Sequence, residues 1–193
     1  MGFEVDKSLS KAVIALGANL SLRGNGPKVT LEQSLVAMAE AGLVIRAKSR
    51  FFATPCFPAG AGPDYVNAAV SIETDQSPHE VLALLHRIEH DFERAREQRW
   101  GMRTLDLDLV CWDDLVLPDD VEYHRWLTLP HEKQAISAPE HLILPHPRLQ
   151  DRAFVLVPMA DVTPDWRHPV LDKTVTQMVA ALPREDVVEV KPL

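Results

Sequence analysis

An α+β sandwich of the ferredoxin-like kind, a split βαβ arrangement running β-α-β-β-α-β, is predicted by three features of this 193-residue sequence. Strand-like apolar runs or alternations fall near residues 11–16, 43–53, 65–74 and 104–110. Two segments with helical apolar spacing lie between the first and second of these and between the third and fourth. Turn-forming Gly, Pro, Asn and Asp punctuate the joints. That order puts both helices on one sheet face, and an added C-terminal region of strand, loop and short helices follows. No repeat, low-complexity stretch or linker divides the chain, so residues 1–193 are expected to form one domain.

The first strand is K-A-V-I-A-L, residues 11–16, ended by Gly17, Ala18 and Asn19. Thr30 with Gln33 makes a capping-box pattern, and Leu31, Leu35, Met38 and Ala39 form the apolar stripe of a helix ending near Gly42. A second strand is expected over 43–53, before the loop T-P-C-F-P-A-G-A-G-P-D. Over 65–74, Val66, Ala68, Val70 and Ile72 share one face, and Tyr65, Asn67, Ala69 and Ser71 the other. Ser77, Pro78 and Glu80 open a second helix whose buried face is Val81, Leu82, Leu85, Ile88 and Phe92. The fourth strand carries R-T-L-D-L-D-L-V, residues 103–110. Beyond it, Asp113 and Asp114 suggest a turn into a short strand, and 119–141 reads as a loop insertion. L-P-H-P-R then leads to F-V-L-V-P-M, and 174–182 reads as a last short helix.

Composition excludes several classes. A net charge of −8 argues against a broad nucleic-acid surface, which needs excess Lys and Arg to displace phosphate counterions. No apolar run approaches a membrane span, and M-G-F-E-V-D-K-S has no basic region leading into an apolar one, so a cytoplasmic setting is expected. Cys56 and Cys111 lack metal-ligand spacing and read as reduced packing residues.

Chemistry concentrates in a few places. In the fourth strand Leu105, Leu107 and Leu109 share one face, so Asp106 and Asp108 point together from the other, about 7 Å apart at their α-carbons. Like charges so placed repel and Asp is disfavoured in strands, so local preference does not explain the pair. Two hard carboxylates suit Mg²⁺, with phosphate oxygens and water completing its shell. An isolated D-x-D also fits a solvated strand surface. The cations Arg87, Arg94, Arg96, Arg99 and Arg103 lie just before it; alone they fit a solvated helix end, but beside the aspartates they suit a polyphosphate. Tyr65 and Asn67 share a strand face, where a flat heterocycle can stack on the phenol and bond the amide; a sheet-face aromatic over the core is the plainer alternative. Between prolines, His146 presents a fixed turn near Arg148 and Arg152, either a surface residue or a phosphate contact.

These residues resemble the 6-hydroxymethyl-7,8-dihydropterin pyrophosphokinase family of folate biosynthesis. The matching motifs are A-L-G-A-N-L (15–20), T-P-C-F (54–57), P-D-Y-V-N-A-A (63–69), R-I-E (87–89), R-W-G-M-R-T-L-D-L-D-L (99–109) and L-P-H-P-R-L-Q-D-R-A-F-V-L-V-P-M (144–159). The resemblance implies transfer of the terminal pyrophosphate of ATP to the pterin's hydroxymethyl oxygen, with AMP released and two Mg²⁺ ions assisting. It implies Asp106 and Asp108 as metal ligands, and Arg94, Arg96, Arg99, Trp100 and Arg103 in a catalytic loop on the phosphates. His146 and Arg152 would contact ATP, while Tyr65 and Phe154 would sandwich the pterin, with Asn67 and the loop around Thr54, Pro55 and Phe57 at its edge. A second Pro-His pair, at His131, lacks the downstream arginine and phenylalanine that follow His146. Glu93 stands where the family often has Gly, Met102 where Pro is frequent, and His86 where some members have Gln. The 119–141 segment has no assigned counterpart. Two other classes remain open: a different Mg²⁺-dependent nucleotide phosphotransferase, and a non-catalytic ferredoxin-like ligand-binding module.

Overall fold

The computed structural model describes residues 9–56, 62–92, 103–130, 133 and 137–193. Phe57, Glu93, Arg94, Arg96, Arg99, Trp100, Met102 and His131 lie outside the described residues. The fold is α+β, built on an antiparallel sheet.

In chain order the elements are β1 (Ser10–Ala18), α1 (Pro27–Glu40), β2 (Val44–Lys48), β3 (Phe52–Thr54), β4 (Tyr65–Thr74), α2 (Pro78–Asp91) and β5 (Asp106–Trp112). Then come α3 (Asp120–Leu127), a 3₁₀ turn (Leu149–Asp151), α4 (Ala153–Val162), α5 (Val175–Ala181), α6 (Arg184–Glu189) and β6 (Lys191–Pro192). The sheet runs β5-β1-β4-β3-β6, with β2 also on β4.

Strand alternation divides the core in two. Ile14 and Leu16 of β1 and Leu107 and Leu109 of β5 pack with Leu31 and Met38 of α1 and Val81, Leu84, Leu85 and Ile88 of α2, so both early helices share one face as expected. On the other face Val13, Ala15, Ala69 and Val110 meet Leu149, Val155, Leu156 and Met159, with Val175 and Met178 of α5. The sheet is therefore covered by helices on both sides. The α2 start is as the sequence reads: Ser77 Oγ accepts from the Glu80 amide at 3.4 Å and Glu80 Oε2 from the Ser77 amide at 2.7 Å. Cys56 and Cys111 are free and buried.

Several expectations are corrected. Helix α1 begins at Pro27, capped by Gly26, so Thr30 is a buried first-turn residue and not the cap; proline's fixed φ starts the helix earlier. The strand expected over 43–53 is two strands, because the Ser49 hydroxyl takes the Ala69 amide at 2.9 Å and interrupts the ladder. The buried face of α2 uses Leu84, with Leu82 only half-buried. The 119–141 segment contains α3, whose cap is Asp119 Oδ1 accepting from the Glu122 amide at 2.9 Å. F-V-L-V-P-M belongs to helix α4, where Val155, Leu156 and Met159 meet the sheet at helical spacing despite Pro158. Thr174 and Gln177 cap α5, but α6 follows it, so α5 is not the last helix.

Helix α3 is tied to the C-terminal region by a buried pair. Tyr123 Oη lies 3.0 Å from His168 Nε2, and His168 Nδ1 accepts from the Val170 and Leu171 amides, both at 3.2 Å. Both side chains are fully buried, and burial pushes the His168 pKa down to about 4. The unfolded chain therefore binds a proton near pH 6.5 that the folded chain refuses until about 4, so stability is full above 6.5 and falls as pH drops through that window. The expected loss is about 1.4 kcal/mol per pH unit. Urea midpoints of wild type and His168→Gln at pH 5 and pH 7.5 check this: the wild-type advantage shrinks at pH 5, and a constant gap contradicts it.

Candidate active site

Strand register gathers the chemical residues into three adjacent rows on the α4 side of the sheet. Gly17 pairs with Asp106 on one side and Asn67 on the other, and Asn67 pairs with Phe52. One step further, Ala15 lies between Asp108 and Ala69. Tyr65 pairs with Thr54. Asp106, Asp108 and Tyr65 are half-buried, while Asn67 and Thr54 are buried. Asn67 Nδ2 donates to Thr54 Oγ1 at 2.6 Å, which orients the amide. Pro55 follows, exposed, at the strand end.

Cations converge on the aspartates from two directions. The Arg103 guanidinium pairs with Asp106. Burial opposes the Arg103 charge, but Asp106, then Asp108 and Tyr65, outweigh it and raise its pKa. Burial raises the Tyr65 phenol, against an opposing pull from Arg103 that Asp106 in turn counters. Arg152 arrives at the start of α4, where burial lowers its pKa while Asp108 resists. Asp108, Val110, His146, Leu149, Arg152 and Val155 line one narrow cleft. Phe154, next in α4, is 42% exposed, and Arg152 Cζ stands 5.7 Å from its ring centroid.

His146 is held by its backbone, which donates to the Val110 carbonyl at 2.7 Å and so docks L-P-H-P-R on the outer edge of β5. Its Nδ1 accepts from the Arg148 amide at 3.0 Å, and burial, with Arg152 next, lowers its pKa to about 3. The neutral ring therefore carries its proton on Nε2, with Arg152 Nη1 3.4 Å away. Two donors side by side call for an acceptor between them, and an anionic oxygen meets that need.

Two residues that lie within the matching motifs, neither given a role by the sequence reading, hold this geometry. Buried Asn19 accepts from the Arg103 amide at 2.8 Å through Oδ1 and donates to the Pro63 carbonyl at 3.1 Å through Nδ2. It thus joins the segments leading into β4 and β5. Glu89, 1% exposed on α2, accepts from the Leu107 amide at 2.9 Å, between the two aspartates on the edge strand. A glutamate on an otherwise apolar helix face was the available signal. Glu89→Ala leaves that amide without its acceptor, whereas Glu89→Gln keeps one. The alanine variant is expected to need several-fold more Mg²⁺ for half-maximal turnover, with glutamine close to wild type; equal Mg²⁺ dependence of all three contradicts this.

The donor set fits Mg²⁺: two half-buried carboxylates on one strand face, with room in the shell for water and phosphate. Among the described residues no group of three or more His, Cys, Asp and Glu assembles into a fuller protein cage. Paired carboxylates, convergent cations and a polar floor on an α+β sheet define a phosphotransferase class of site.

A family model for 7,8-dihydro-6-hydroxymethylpterin-pyrophosphokinase (HPPK) matches residues 13–164, and the chain belongs to that family. It is 35% identical over 170 residues to the 2-amino-4-hydroxy-6-hydroxymethyldihydropteridine pyrophosphokinase of Synechocystis, covering 87% of this chain and 74% of that one. The Haemophilus influenzae protein of the same name is 31% identical over 183 residues, 94% of this chain and 98% of its own. Among solved structures, wild-type Plasmodium falciparum HPPK-DHPS is similar in fold, with TM-score 0.63 and 14% identity over 92% of this chain. This chain spans 45% of that one. No helix among the described residues is long and apolar enough to cross a membrane.

Proposed function

We propose that this enzyme transfers the terminal pyrophosphate of ATP to the hydroxymethyl oxygen of 6-hydroxymethyl-7,8-dihydropterin, as a step of folate biosynthesis. The new bond joins that oxygen to the β-phosphorus, the bond from that phosphorus to the α–β bridging oxygen breaks, and AMP leaves. The observation that carries the reading is the single sheet face joining Tyr65 and Asn67 to Asp106 and Asp108 through Gly17. It offers a heterocycle floor and a phosphate-and-metal site side by side. A general Mg²⁺ phosphotransferase has no need of the first, and a regulatory module none of the second.

Asp106 and Asp108 would hold Mg²⁺, two ions by the family resemblance, which would supply charge neutralisation for the triphosphate. Arg103 and Arg152 set cations against the same oxygens, and the neutral His146 offers Nε2–H. Tyr65 and Phe154 sandwich the pterin, while Asn67, Thr54, Pro55 and Phe57 serve its edge. Arg94, Arg96, Arg99 and Trp100 complete the ATP side by family position. These residues act by alignment and charge, since the transfer asks little covalent chemistry of the protein. We read the order β1-α1-β2-β3-β4-α2-β5, with β2 and β3 both on β4 as two halves of one interrupted strand and β1 between β5 and β4, as a ferredoxin-like split βαβ, and the setting as cytoplasmic. The test is AMP release from ATP with Mg²⁺, with and without the pterin. Release that depends on the pterin supports the assignment, and release indifferent to it overturns the substrate.

A further inference from the structure

Gly17 lies where β1 separates the two halves of the site. A Cβ built there would stand 3.0 Å from Asn67 Oδ1, 3.9 Å from Tyr65 Cδ1 and 4.0 Å from Asp106 Cβ. The volume of one methyl group thus presses on the amide and only reaches ordinary contact with the ring and with the Asp106 β-carbon. The first contact decides the matter, because 3.0 Å is closer than a carbon and an oxygen pack without strain. Asn67 has little freedom to withdraw: it is 6% exposed, and its Nδ2 donates to buried Thr54 at 2.6 Å. With Nδ2 engaged there, Oδ1 is the amide's acceptor, turned toward the space over Gly17.

We propose that Gly17 is a specificity-determining position: its missing side chain keeps the Asn67 carbonyl open to an N–H on the edge of the heterocyclic substrate. The same gap lets a flat ring lie on the strand beside Tyr65 with its substituent directed toward Asp106. This role rests on the pterin reading above. A substrate without a donor on that edge gains nothing from the opening, so Gly17 selects by hydrogen bonding as well as by shape.

The backbone at Gly17 is ordinary strand with no positive φ, so alanine is conformationally allowed and the clash with Asn67 is its main cost. The experiment measures calorimetric binding of 6-hydroxymethyl-7,8-dihydropterin and of MgATP to wild type, Gly17→Ala, Asn67→Ala and the double variant, with thermal melts of each. Gly17→Ala is expected to weaken pterin binding about tenfold to a hundredfold, as for a lost buried hydrogen bond, and to leave MgATP binding unchanged. In the Asn67→Ala background, where nothing remains to be covered, the same substitution is expected to cost nothing further. Wild-type pterin affinity in Gly17→Ala, or an equal penalty in both backgrounds, overturns the role. Absence of pterin binding in the wild type overturns the substrate reading and this role with it, an outcome distinct from the other two.

Discussion

Asp108→Asn is expected to lower turnover by about a thousandfold or more, because a ligand that helps neutralise a transferring phosphoryl group contributes several kcal/mol to the barrier. Its effect on folding is expected to be small: removing one of two neighbouring like charges relieves repulsion, offset in part by the lost attraction to Arg152. Asp106→Asn should match it in turnover and differ in stability. Asp106 pairs with Arg103, both about one-fifth exposed, so the asparagine leaves a half-buried guanidinium without its carboxylate. A loss of about 1 kcal/mol follows. Single-turnover AMP formation over a range of Mg²⁺ concentrations, with urea midpoints for each variant, separates the two effects. Near-wild-type turnover in either variant at ordinary Mg²⁺ removes that residue from the metal site.

The contrast between the two aspartates shows where the sequence stops being informative. Their shared face follows from the two-residue period of a strand, as does the face shared by Tyr65 and Asn67, and both are legible in a single line of residues. The α2 capping box is equally local and is realised atom for atom. What lies across from a residue is not local. That Asp106 carries an arginine partner, that Glu89 holds the Leu107 amide, and that Gly17 faces Asn67 all depend on sheet register and on a helix returning to an edge strand. The misread elements fail for a related reason. Thr30 and Gln33 have the spacing of a cap, but Gly26-Pro27 starts the helix one turn earlier. F-V-L-V-P-M is apolar almost throughout and shows no periodicity by itself, so only the packing reveals Val155, Leu156 and Met159 as one side of a helix on the sheet.

Arg152→Ala is expected to lower kcat/KM for ATP by about a hundredfold to a thousandfold, as for loss of one preorganised donor to developing phosphate charge. Burial works against this guanidinium, and Arg148 and Arg103 repel it, so it is kept in place against an electrostatic cost that Asp108 and Asp106 only partly offset. A polyanion drawn to the Arg152 and His146 nitrogens would reverse that balance, and a buried cation acts on it more strongly than an exposed one. The backbone of Arg152 caps α4 without using its side chain, so alanine leaves the helix start intact. The side chain also stands over Phe154, and pterin affinity should fall, but by well under tenfold, the scale of an exposed cation–π contact. Arg152→Lys restores a charge without the planar fork and should recover only part of the loss. Binding of MgATP and of the pterin to both variants provides the test: equal weakening toward the two ligands would deny Arg152 a selective role at the phosphates and leave Arg103 and His146 to carry it among the described residues.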